Sequence, residues 1–383
     1  MPRLAIATSL VLLAAGCAGP AAGGSLPAGD LVVGMVTSLT GVALSSGVEA
    51  RLGAQQAVDE ANHGGGVEGR RAKLLVVDDQ RSVAGAEAAF NQLAAGRAIG
   101  VLGPLAPEGV ARVQLLASPR HLPLLSLSGA DQLLGSGRRP PGNLFLVAPA
   151  ASRVAERMLD YARSASLTTV AVAHETGDPY ADSGLAALAR EAPRKGISIV
   201  SDEPFDPSRV DFDPLVKRLR ASGARALLAW GRGAGVALLA RTWGGFGRES
   251  PILLGPASSS TDFLRTIGDR GEGALIVASR PVLLESGTAA LPQPLAAMAR
   301  EFEHRNGYYP SQAALDGYAA ARLLLRAVAV AGSTAPAQVS AALVGLRLET
   351  AAGTFGYTAA DHLGLPVSGL LVAVVRNGRL APA

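Results

Sequence analysis

The chain has one cysteine, Cys17, among its 383 residues, so it cannot form an internal disulfide. Aromatic residues make up only 4% of it, too few for a platform on which single-stranded bases would stack. Lys and Arg are scattered, although the formal net charge is +4, and no run of them tracks a phosphate backbone. No nucleic-acid partner is expected. His63, His121, His174, His304 and His362 show no H-x-x-H or H-E-x-x-H spacing, which argues against a zinc site. There is no G-x-S-x-G elbow, and the cysteine lies far from the body of the chain, so a Cys/His nucleophile is not available. We expect no catalytic residue, no metal, no cofactor and no enzymatic activity. Beyond the first residues, no segment is long and apolar enough to cross a bilayer. What the chain has in quantity is hydrophobic residues, 49% of the total, in a length that suits two domains.

The first residues, "MPRLAIATSLVLLAAGCAG", carry one positive charge, an apolar stretch from Leu4 to Ala15 and then small residues, the layout of a secretory signal. "LLAAGC" resembles a bacterial lipobox, in which the Cys is acylated and becomes the new N-terminus. This makes residues 1–17 a lipoprotein signal with Cys17 as the lipidated residue. The other reading is a plain secretory signal with an incidental Cys. Residues 18–30, rich in Gly, Ala and Pro, read as a flexible tether.

From Leu31 on, strands and helices alternate. "LVVGMVTSL", Leu31–Leu39, is apolar throughout, as a strand buried on both faces would be. Ala50, Ala54, Ala57, Val58 and Ala61 then form one stripe of a helix. "AKLLVVDD", "AIGVLGPL" and "HLPLLSLSG" are further strands, with "VAGAEAAFNQLAAG" a helix between the first two. The rhythm restarts after "NLFLVAPA", with a helix at Ala151–Ser164, the strand "TTVAVAH", a helix over Asp182–Glu191, and strands "GISIVSDEPF", "ARALLAW", "SPILLG" and "GALIVAS". Long helices follow at Pro294–Arg305 and Gln312–Ala331, then terminal strands around Gly353–Tyr357 and Val367–Val375. The order predicts an α/β fold in two halves, with parallel sheets between helices.

Gly64, Gly66 and Gly69 match G-x-G-x-x-G, the dinucleotide fingerprint. There the glycines follow a strand and open a helix, whose N–H groups receive the pyrophosphate. Here they follow the first helix and precede the strand Ala72–Asp79. Unpaired carbonyls at a helix C-terminus repel phosphate, so the loop reads as a helix stop and a nucleotide-dependent enzyme ranks last.

"GMVTSLTGVALSSGVEARLGAQQAVDEANHGGGVEGRRAKLLVVDDQ" resembles the opening of the leucine/isoleucine/valine-binding proteins, the type I substrate-binding proteins of bacterial ABC transporters. "GVLGP", "LPLLSLSG", "VAVAHETGDPYADSGLA" and "GYYPSQAALDGYAAARLL" continue the likeness in order. It covers about Leu31 to Leu365. The resemblance implies two Rossmann-like lobes joined by three chain crossings: lobe I from residues 28–148 plus 280–357, lobe II from 149–279 plus 358–383. A ligand would lie in the cleft, held by hinge closure.

In the amino-acid-binding members, a Ser and a Thr hold the ligand carboxylate and an acid pairs with its ammonium. By this resemblance those places fall to Pro107, Ala130 and Ala257. Pro107 has neither hydroxyl nor N–H, and Ala257 cannot pair with a cation. A free α-amino acid is therefore not the expected ligand, unless Glu108 or Asp131 takes over. Tyr180 aligns with a ligand-contacting Tyr. Ser45 and Ser46 stand where an aromatic is common, which widens the pocket. Ser126, Ser128 and Gly129 after the fourth strand, and Ala106 after the third, complete the expected lining. Arg232, at a strand end, would bind a carboxylate bidentately or sit solvated at the rim. His174 reads as structural, and the pair Asp78-Asp79 as a helix cap or a cleft hydrogen-bond partner. The function implied is an extracytoplasmic solute-binding lipoprotein that serves an ABC permease with an amino-acid-like, amide or carboxylate ligand. The alternative is a sensory or regulatory envelope lipoprotein on the same fold.

Overall fold

The computed structural model describes residues 29–41, 44–137, 139–279 and 293–383. The signal segment, Cys17 and most of the tether lie outside them. The first sheet has the order β2-β1-β3-β4-β5, from β1 (Leu31–Thr37), β2 (Ala72–Asp78), β3 (Val101–Leu102), β4 (Leu124–Ser126) and β5 (Leu144–Leu146). Every pairing in it is parallel. Alternation along β1 explains why this strand is apolar throughout. Val33 and Met35 face α1 (Leu44–His63) and α10 (Gln312–Ala331). Val36 faces α2 (Val83–Ala95) and α3 (Pro107–Ala117) on the other side.

The second sheet runs β14-β13-β10-β9-β8-β6-β7. Its members are β6 (Thr169–Glu175), β7 (Ser198–Phe205), β8 (Ala226–Trp230), β9 (Ile252–Leu254), β10 (Leu275–Ser279), β13 (Leu370–Arg376) and β14 (Arg379–Pro382). Strands β6 to β10 pair in parallel, while β13 and β14 return antiparallel on the β10 side. The fold is therefore the expected two-lobed α/β architecture, with an antiparallel edge added to the second sheet. Two chain segments pass between the sheets among the described residues, 147–150 and 357–369. The end of β5, which leads into the first, is pinned to the second: the Tyr357 hydroxyl donates to the Leu146 carbonyl at 2.9 Å, the Leu146 N–H donates to the His362 carbonyl at 2.9 Å, and the Phe145 ring stacks on His362. The remaining expected crossing falls within 280–292, outside the described residues.

Several elements differ from the sequence reading. Helix α3 was not expected; Pro107 is its first residue and buried, a position where a missing N–H costs nothing. Helix α5 (Pro179–Glu191) starts earlier than expected, because Asp178 caps it, accepting from the Tyr180 N–H, with Pro179 first in the turn. The short strand β11 (Arg347–Thr350) forms a hairpin with β12 (Gly353–Gly356). The glycine loop behaves as a helix stop: the Gly66 N–H donates to the Ala61 carbonyl at 2.8 Å, and Gly66 takes φ +78°, where a Cβ would lie 2.1 Å from the Arg70 carbonyl oxygen.

Candidate functional site

In parallel α/β sheets the strand ends at the carboxyl edge leave a crevice, because the connecting loops part there. Both sheets turn this edge toward one cavity of about 330 Å³. The five-stranded sheet contributes Arg81 after β2, Leu105 after β3, Leu127, Ser128 and Gly129 after β4, and Ala148 and Pro149 after β5. The seven-stranded sheet contributes Tyr180 after β6, Arg232 after β8, and Gly255, Pro256 and Ala257 after β9. Ser45 and Ser46, at the start of α1, and Ser311, Gln312 and Asp316, at the start of α10, close the remaining side. A larger recess of about 670 Å³ lies beside the β11–β12 hairpin, where Arg153 and Asp361 already pair with each other at 3.1 Å.

Tyr180 crosses this cavity between the two lobes. Gly129 and Gly255 flank its ring; a Cβ on Gly129 would lie 2.1 Å from the Pro149 carbonyl oxygen and 3.2 Å from the ring. Behind it stands the buried Trp230 indole, with ring centroids 5.7 Å apart. The phenolic oxygen is shielded from solvent and has no hydrogen-bond partner in the structure. Burial pushes the phenol well above its ordinary pKa. The charges of Asp131, Asp178 and Asp316 act the same way, and Arg232 opposes them.

Arg232 lines the cavity and is paired within its own wall. Its Nη2 and Nε donate to the two oxygens of Asp178 at 3.0 and 3.3 Å, and the Asp178 side chain is only 1% exposed. The Arg232 backbone N–H donates to Glu175 Oε2 at 2.9 Å. Burial, with the Asp178 charge beside it, holds Glu175 above the usual carboxylate range despite that hydrogen bond. This wall thus neutralises its own cation.

The α10 wall was missed from the sequence. Gln312 Oε1 accepts from the Ser279 N–H at 2.8 Å, and Nε2 donates to Ser279 Oγ at 2.9 Å and to Asp316 Oδ1 at 2.8 Å. The Gln312 N–H donates to Ser259 Oγ at 3.0 Å. Gln312 therefore ties α10 to β10 and to the turn after β9. Asp316 is 5% exposed; burial pushes its carboxyl well above the usual range, against the Gln312 hydrogen bond. A detectable sign was an acid set in the apolar stretch "AALDGYAAA", with Gln rather than a base four residues before it.

Seven expected residues, Ser45, Ser46, Ser128, Gly129, Tyr180, Arg232 and Ala257, share this cavity. Three do not line it. Ser126 is fully buried, donating to the Ser128 carbonyl at 2.8 Å and accepting from the Ser128 N–H at 3.0 Å; it shapes the turn that presents Ser128. Ala106 caps α3, and Glu108 sits in the exposed first turn of that helix, where its charge suits the dipole. Nor does Asp131 take over: it accepts from the Ser152 backbone and hydroxyl at the start of α4 (Ala151–Ser164). His174 pairs with Asp202 on β7 at 3.4 Å. Asp78 and Asp79 fasten the loops after β1 and β2, accepting from the Leu39 N–H at 2.9 Å and Ser38 Oγ at 2.7 Å. Among the described residues no group of His, Cys, Asp and Glu is arranged to hold a metal ion.

The family model described as "Periplasmic binding protein" matches residues 30–379. The chain belongs to the periplasmic binding protein family. This binding protein is 28% identical over 344 residues to "Leu/Ile/Val-binding protein homolog 3" of Brucella melitensis, covering 88% of this chain and 89% of the relative. Its fold superposes with a TM-score of 0.80 on the branched-chain amino acid transporter substrate-binding protein LivJ of Streptococcus pneumoniae in complex with isoleucine, at 20% identity, covering 92% of this chain and 97% of the other. It superposes with a TM-score of 0.78 on a solute-binding protein of R. palustris in complex with benzoate, at 17% identity, covering 92% and 95%. The same fold thus holds an aliphatic zwitterion in one protein and an aromatic carboxylate in another, so the ligand is set by side chains and not by the architecture.

Proposed function

We propose that this binding protein is the solute receptor of an ABC importer, which captures a small molecule between its lobes, closes, docks on a permease and releases the ligand without making or breaking a bond. The observation that carries this reading is the Tyr180 hydroxyl, shielded and without a partner on the wall of a cavity between the two sheets. A buried hydroxyl left without a partner costs about 1–3 kcal/mol, and a ligand that pairs with it offsets that cost. The moving bodies are lobe I, residues 28–148 with 280–357, and lobe II, 149–279 with 358–383. Residues 1–17 export the chain, Cys17 carries the lipid, and residues 18–30 hold the receptor near its permease.

The ligand classes to weigh are amino-acid-like, amide and small carboxylate. The 28% identical relative, named for leucine, isoleucine and valine, supports the first. The occupation of Arg232 by Asp178 and the alanine at 257 argue against a site that grips both ends of a zwitterion in the family manner. A thermal-shift screen of the protein against amino acids, amides and small carboxylates tests the reading. A ligand at one hundred times its Kd adds about 2.7 kcal/mol of stability, and Tyr180→Phe should weaken that ligand. Failure of all three classes to raise the melting temperature would refute a receptor for them. A clear rise with leucine would overturn the argument from Pro107, Ala130 and Ala257. For the anchor, Cys17→Ser should release the protein from membranes, and retention would contradict lipidation.

A further inference from the structure

The receptor reading leaves open what chemistry the cleft prefers, and the distribution of charge across its walls bears on that. Asp316 lies on the cavity wall, 5% exposed. Among the described residues its one hydrogen-bond partner is the neutral Gln312 amide at 2.8 Å, and no Lys, Arg or His pairs with it. Burial favours the neutral form of this carboxyl, whereas a cation beside it favours the ionised form, which has room for about four hydrogen bonds and here uses one. Gln312 cannot swing away to leave it, because both its amide atoms are held by Ser279.

The neighbouring cation offers no relief. Arg232 already has a carboxylate of its own: its Nε and Nη2 donate to the two oxygens of Asp178, and its backbone N–H donates to Glu175. Arg81 is the other guanidinium on the cavity lining, and it is exposed at the rim. The Tyr180 hydroxyl lies in the combined field of Asp131, Asp178 and Asp316. Its oxygen, unpartnered and shielded, is a second acceptor on the same cavity. A cation supplies the partner that a buried carboxylate requires.

Resting on the receptor reading, we propose that the cleft selects a small organic cation carrying N–H donors, a primary ammonium or a guanidinium, and that Asp316 and the Tyr180 oxygen receive it. The donors are needed because the receiving groups are oxygen acceptors. Specificity then comes from lobe I through α10, and not from the position of Ala257 on lobe II.

The test is calorimetric titration of the full chain, purified in detergent, with butylamine, putrescine and agmatine. Butyramide, butyrate and leucine are titrated in parallel. At least one of the three cations should bind, more tightly than butyramide or butyrate. Asp316→Asn should weaken that cation about 30-fold or more, as expected for removing one partner of a buried charge pair, whereas Asp316→Glu should keep part of the affinity. If the Asn variant does not fold, Tyr180→Phe serves in its place, with a smaller loss of cation affinity. Binding of butyramide, butyrate or leucine but none of the cations would overturn the cation class and leave the receptor reading intact. Binding of nothing in the panel would overturn the cation class as well; the broader ligand screen then decides the receptor reading on its own. Equal cation affinity in the parent and Asp316→Asn would overturn the role of Asp316.

Discussion

The two walls of the cleft handle charge in opposite ways. On lobe II, Arg232 sits between Asp178 and Glu175, so a cation and its counter-ions are placed together and the wall is electrically complete. On lobe I, Asp316 has only a neutral amide, and behind the cavity lining Glu49 on α1 has only the Ser311 hydroxyl. Burial pushes Glu49 up to about 7 despite that hydrogen bond, with Asp262 adding to the effect. A wall that balances itself can be rigid and indifferent to what enters. A wall that holds acids without cations is stabilised by whatever brings one. The difference places selectivity on the α10 side and scaffolding on the α5 side.

The strongest perturbation of this contrast is steric. In Gly317→Ala the new Cβ would lie 2.0 Å from the Ala50 carbonyl oxygen, where α1 and α10 meet backbone to backbone. We expect a loss of about 3 kcal/mol or more in urea denaturation. The matching change on the other wall, Gly184→Ala, meets the Trp230 ring at 2.4 Å; a side chain can yield where a backbone cannot, so the loss should be smaller, about 1–2 kcal/mol. Equal losses would remove the distinction between a close-packed α10 wall and a more yielding α5 wall.

Next is pH. The Glu49 carboxyl is raised from its ordinary 4.5 to about 7, so the folded state holds a proton that the unfolded chain releases. Stability from this group is full below about pH 4.5 and falls as pH rises to about 7, by about 3 kcal/mol in total. Glu49→Gln should remove that slope, so the melting temperatures of variant and parent, close at pH 4.5, should separate by pH 7.5 with the variant higher. Parallel curves would show that Glu49 is not held protonated. On lobe II, Asp178→Ala removes both the cap of α5 and the partner of a guanidinium that is 25% exposed. We expect a loss of about 2–3 kcal/mol, and a double-mutant cycle with Arg232→Met should recover part of it as a coupling energy. The smallest effect should come from Tyr180→Phe, which removes a shielded hydroxyl that bonds to nothing in the protein. Unfolding free energy should rise, by about 1 kcal/mol, while ligand affinity falls. A large loss of stability would mean that the hydroxyl has a structural partner.

Much of the fold was legible because its signals are local. The stripe at Ala50, Ala54, Ala57, Val58 and Ala61 announces α1, and the glycines at 65, 66 and 69 end it with positive φ. The cleft position of Ser128 and Tyr180 follows from their places after strand ends. Asp178 as a cap was also within reach, since Asp before Pro is a common helix start, and reading it would have begun α5 three residues earlier than expected. Ser126 and Ser128 show the limit. They are two residues apart on one strand end, yet one is folded inward to fix the turn and the other reaches the cavity. Periodicity alone does not separate them.

The sequence by itself determined the order of strands and helices, the helix stop at the glycine loop and the division into two sheets, because helix and strand periods and turn residues act over a few positions. Only the tertiary structure decided which charges meet. Arg232 finds Asp178 across 54 residues, and Gln312 finds Ser279 across 33, while Asp316, on a helix that reads as core, is left on the cavity wall without a cation among the described residues. Those pairings depend on how the two sheets face each other, a long-range geometry that no local pattern encodes.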